Sequence, residues 1–78
     1  MISATHCKMA RAALGWSVKE LAEQAHISAN TVVRFENEKH DANQATVHMI
    51  QRAFEAAGVR FKDGGVFPPK KREEQPHG

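Results

Sequence analysis

The sequence predicts an all-α fold, a compact bundle of four to five helices, with a short C-terminal β-hairpin or extended strand appended. Three observations carry this expectation. Apolar residues recur at helical spacing over most of 5–57, small polar capping residues stand just before those stretches, and the pattern changes to alternation only after Gly58.

With 78 residues there is room for one domain. A chain of that size hides only about 60–65% of the surface its unfolded form exposes, so the core must be small and dense. Hydrophobic residues at 41% and charged residues at 26% place the chain in the globular range rather than the disordered one. Residues 1–67 are expected to form the folded unit and 68–78, PPKKREEQPHG, a disordered tail rich in proline and charge.

The first helix is expected over 5–14, where Cys7, Ala10 and Leu14 form a stripe behind a Thr5 N-cap and Gly15 ends the run. SVKELAEQA opens the second helix. Ser17 is its N-cap, Glu20 completes a reciprocal capping box, and Trp16 is placed to staple onto Leu21. Val18, Leu21, Ala22 and Ala25 then follow one face. At His26 the chain must turn sharply through a left-handed residue, a role usually given to glycine but open to histidine. Ser28 caps a third helix over 29–36, with Val32 and Phe35 facing inward.

Residues 37–42 read as a loop. Asn43 caps a fourth helix in which Val47, Ile50, Phe54 and Ala57 keep helical spacing until Gly58. In VRFKDGGVF, Val59 and Phe61 alternate with Arg60 and Lys62 before a Lys-Asp-Gly-Gly turn, and Val66 and Phe67 follow, which fits a small hairpin or an edge strand. Phe61, Val66 and Phe67 are too apolar for a free end. They are expected to pack on the core or to pair across a dimer.

The break after residue 25 makes a corner. Two short helices joined by a tight turn form a helix-turn-helix, in which the first spans the DNA backbone and the second offers its free face to base edges. Eight residues over 29–36 span about 12 Å at 1.5 Å per residue, the width of a major groove.

The stretch RAALGWSVKELAEQAHISANTVVRFENEK resembles the lambda-repressor-like, or Xre-type, helix-turn-helix domain. That pattern has an arginine before a Leu-Gly turn, then S-x-x-E-L-A, a small turn, and a helix ending in Phe/Ile-Glu-Asn. The resemblance covers about residues 5–58. It implies a bundle of four or five helices that binds a double-stranded DNA operator as a homodimer. It implies base-reading roles for Ala29, Asn30, Thr31 and Arg34, and phosphate contacts from Ser17, Val18, Lys19, Ser28, Asn37 and Lys39. Their chemistry is suitable: Asn pairs bidentately with adenine, Arg with guanine, and Ala meets a thymine methyl. Helix N-termini present free N–H groups to phosphate. Arg11 and Glu36 are implied to pair, tying the first helix to the end of the third. Where many relatives have glutamine and glycine, this chain has Val18 and Glu38.

The expected function is sequence-specific regulation of transcription, as a repressor. The alternative is a regulatory protein-binding module on the same scaffold, an antitoxin or anti-activator. The folded part carries eight Lys or Arg against seven Asp or Glu over 1–63, so it is almost neutral, which together with Val18, Val33 and Glu38 favours that alternative. The basic run at 70–72 reads as a solvated tail segment. Enzyme chemistry is not expected, because no nucleophile triad, phosphate loop or carboxylate pair is present. No cofactor or metal is expected either: Cys7 is the single cysteine, read as a small buried hydrophobe, and the five histidines lack ligand spacing. With no apolar run of about 18 residues, membrane insertion is not expected and the protein is placed in the cytoplasm.

Overall fold

Each helix starts where a short polar side chain captures a backbone N–H three residues on. In the computed structural model, which describes residues 2–37, 43–62 and 64–69, the order is α1 (Ala4–Leu14), α2 (Val18–Ala25), α3 (Ala29–Glu36), α4 (Gln44–Ala56), β1 (Arg60–Lys62) and β2 (Gly65–Phe67). The caps are Ser3, Ser17, Ser28 and Asn43, accepting from the N–H groups of His6, Glu20, Thr31 and Thr46 respectively.

Two expectations about caps need correction. Thr5 lies inside α1; the cap is Ser3, in a full capping box whose return bond comes from the Ser3 N–H to His6 Nδ1 at 3.3 Å. An imidazole here does what glutamate usually does. At α2 only the forward half of the expected box forms among the described residues, Glu20 N–H to Ser17 Oγ at 3.0 Å.

The ends of α1 and α2 share one geometry. Gly15 (φ 72°) and His26 (φ 61°) are left-handed, and His26 is the one non-glycine residue of positive φ among those described. Trp16 N–H reaches back to Arg11 O at 2.9 Å, and Ile27 N–H to Ala22 O at 3.0 Å. These bonds satisfy carbonyls that a helix end leaves bare.

The core is built around Phe54, which is fully buried. Trp16 stacks on it at 5.6 Å and 21°, and Phe61 meets it edge-on at 6.0 Å and 64°. Leu21, Val32, Ile50, Val59 and Cys7 are also fully buried. Helix α2 packs on α3 and α4, and α1 packs on α3 and β2. Burial of each large side chain contributes about 1.5–3 kcal/mol, so this cluster supplies most of what so small a domain can gather.

The two strands pair antiparallel, with Arg60 opposite Phe67, Phe61 opposite Val66 and Lys62 opposite Gly65. The period of two turns Phe61 and Val66 onto the core and leaves Arg60, Lys62 and Phe67 exposed. His6 fastens the turn: with Nδ1 accepting from Ser3, its Nε2–H donates to Gly64 O at 2.9 Å. Beyond β2, Pro69 is half-buried against Gly58 (φ 99°), where a Cβ would stand 2.8 Å from Pro69 Cβ. The remainder of the expected tail, 70–78, lies outside the described residues, as does most of the loop expected over 37–42. Among the described residues no helix is long and apolar enough to cross a membrane.

Candidate nucleic-acid interface

The corner between α2 and α3 takes three residues. His26 reverses the chain, Ile27 turns back onto the core, and Ser28 starts α3 by accepting Thr31 N–H at 3.1 Å. The expected break therefore occurs at His26, and α3 has the expected bounds.

One side of α3 is anchored. Val32 is fully buried, Phe35 is half-buried against the core, and Glu36 is 6% exposed. The other side carries Ala29, Asn30, Val33, Arg34 and, just past the end, Asn37, all exposed. These positions follow i, i+1, i+4, i+5 and i+8, one continuous helical stripe. Three of the four residues expected to read bases, Ala29, Asn30 and Arg34, lie on it. The fourth, Thr31, is half-buried at its margin, with its hydroxyl 2.8 Å from Ser28 Oγ.

Two residues of this stripe stand outside the base-reading set: Asn37, expected at phosphate, and Val33, which is 41% exposed. Its spacing from Ala29 is the signal that finds it, since i and i+4 share a helix face.

The residues expected to touch phosphate are spread over two helix starts and the segment from residue 37 on. Ser17 and Lys19 are exposed at the N-terminus of α2, and Ser28 at that of α3. Between Ser17 and Lys19, Val18 is half-buried against the core. Asn37 is exposed where α3 ends. Lys39 and Glu38 lie outside the described residues.

Beneath the stripe, Arg11 of α1 grips Glu36 of α3 with both ends of its guanidinium. Nε donates to Oε2 at 2.8 Å, the far nitrogen donates to Oε1 at 3.0 Å, and the remaining one donates to Trp16 O at 3.1 Å. Cys7 Sγ donates to Oε2 at 3.1 Å. Burial by itself raises the Glu36 carboxyl, but hydrogen bonds from Arg11 and Cys7 and the nearby positive charge outweigh it and hold the group below the usual carboxylate range. The hydrogen bond to Glu36 holds Arg11 firmly protonated. Burial, reinforced by the carboxylate, pushes the Cys7 thiol far up, so it stays a neutral donor. These charges hold α3 in place rather than facing a ligand.

Among the described residues no group of three His, Cys, Asp or Glu side chains is placed to hold a metal. Of the three residues expected at a dimer contact, Phe61 and Val66 pack on their own core, and Phe67 is 48% exposed.

A tight corner whose second helix is anchored on one side and lined with amide, guanidinium and small apolar groups on the other defines a helix-turn-helix DNA-binding module. The family described as Helix-turn-helix matches residues 8–57. The chain belongs to this family, in its Xre or lambda-repressor-like form. It is a family of DNA-binding regulators rather than enzymes. No curated protein matches the chain.

Proposed function

We propose that the protein is a sequence-specific repressor of transcription that binds a double-stranded operator as a homodimer and reads the major groove with α3. The observation that carries this reading is the exposed stripe of Ala29, Asn30, Val33 and Arg34 on a helix whose opposite side is locked by Val32 and Glu36. Asn30 supplies a paired donor and acceptor for adenine, and Arg34 a forked donor for guanine. Ser17, Lys19 and Ser28, at two helix starts, bring hydroxyls, free amides and a cation toward the backbone, and Asn37 at the end of α3 adds an amide, with Lys39 following two residues on in the sequence. Occupying a promoter site excludes other proteins from it, and repression needs nothing more than occupancy.

A single module covers little DNA, so two copies on half-sites about 34 Å apart give the affinity and the symmetry an operator requires. The exposed Phe67, with Phe61 and Val66 behind it, offers the apolar contact between copies.

The test is binding to duplexes selected by the full chain from a random pool, using Asn30→Ala and Arg34→Ala. Each lost base contact weakens binding by about 1–3 kcal/mol, and binding falls steeply between about 50 and 200 mM salt. Unchanged affinity in both variants refutes base reading. Absence of DNA binding, with a salt-insensitive protein complex in its place, favours the protein-binding alternative.

A further inference from the structure

The stripe on α3 has an apolar edge, beside Asn30, that neither Asn30 nor Arg34 explains. At about 100° per residue, Val33 falls between Ala29 and Asn30 around the helix axis, with Arg34 beyond Asn30. Val33 is 41% exposed and Ala29 is exposed beside it. A branched side chain pressed into a groove strips water from whatever it meets. Against the acceptors of guanine or the amino group of cytosine, that leaves a polar group without a partner, which is unfavourable. The C5-methyl of thymine is the one apolar group on the major-groove floor. At the margin of the stripe, Thr31 already shares its hydroxyl with Ser28.

We infer that Val33, together with Ala29, selects thymine by enclosing its C5-methyl, so that the operator carries a required thymine in each half-site. The inference rests on the reading of α3 as the groove-facing helix, and it adds a sequence requirement set by a side chain with no hydrogen-bonding capacity. Val33 acts by shape and desolvation, and Asn30 and Arg34 act by paired hydrogen bonds on neighbouring bases.

The experiment uses the full chain and the duplex it selects from a random pool. Each thymine is replaced singly by deoxyuridine, which removes the methyl and leaves every hydrogen-bonding group unchanged. At one thymine per half-site, affinity falls about fourfold, the value of one buried methyl. In Val33→Ala that sensitivity disappears, whereas in Val33→Thr, which keeps a methyl at nearly the same volume, part of it remains. Circular dichroism confirms that both variants fold. Equal affinity for every deoxyuridine duplex overturns the inference and leaves DNA binding standing. So does a methyl effect that persists undiminished in Val33→Ala, since another side chain then makes the contact. Failure to select any duplex overturns the underlying reading as well.

Discussion

Arg11→Ala removes the clamp that fixes α3 to α1. The carboxylate it abandons is 6% exposed as a residue, and it keeps only the Cys7 thiol as a described hydrogen-bond partner. Breaking a buried pair by removing one partner costs about 3–5 kcal/mol. The Arg11 side chain is 22% exposed, so water relieves part of the loss and the lower end applies, about 3 kcal/mol. A 78-residue domain has a total stability of about 4–12 kcal/mol, so the variant loses between about a quarter and three quarters of it. Urea denaturation followed by circular dichroism reads the change, and its pH dependence identifies the cause. In the native protein Glu36 is held below its ordinary range. Its contribution is therefore fully present above the unfolded carboxyl value of about 4.3 and is lost as pH falls through the lower folded value. The deficit of Arg11→Ala is accordingly largest near neutral pH and shrinks in acid, where the stranded carboxylate takes up a proton. The double replacement Arg11→Met with Glu36→Leu costs less than Arg11→Ala, because no charge remains buried alone. A deficit below about 0.5 kcal/mol at neutral pH, or one that does not change with pH, refutes the clamp.

Three further outcomes follow from the geometry. His26→Gly relieves a left-handed backbone and raises stability by about 0.5–1 kcal/mol in thermal denaturation, whereas His26→Val lowers it; the reverse order contradicts the turn at His26. Ser28→Ala costs about 1 kcal/mol by baring the Thr31 N–H at the start of α3, measured by urea denaturation, and a loss within error contradicts the cap. Burial raises the Cys7 thiol in the folded state, so its contribution is present below the unfolded thiol value of about 8.5 and fades as pH rises beyond it. Native stability declines above that pH, and Cys7→Ala shows a smaller decline.

What the sequence made legible was local. Ser17, Ser28 and Asn43 announced helix starts because a cap and its N–H are three residues apart. His26 announced the corner because two helical patterns collided there and one residue had to reverse the chain. The Ser3 cap was hidden, since its box closes through His6 rather than an acidic residue or glutamine. Contacts between distant segments were less visible. Nothing in spacing alone brings Trp16 and Phe61 onto Phe54, fastens His6 to Gly64, or sets Pro69 against Gly58. The Arg11–Glu36 pair was anticipated through family resemblance, and Cys7 as its third member was not. At the interface, polar chemistry singles out Asn30 and Arg34 as base readers, whereas Val33, with no hydrogen-bonding potential, reads in the sequence as favouring a protein partner.

The most direct measurement is the shift of backbone amide resonances in the full chain as the selected duplex is added. The largest changes are expected at the α2 start around Ser17–Lys19 and along Ala29–Arg34, with those at Phe54 and Ile50 small. Changes concentrated on the hairpin at Phe61–Phe67, with α3 undisturbed, would contradict groove binding by α3.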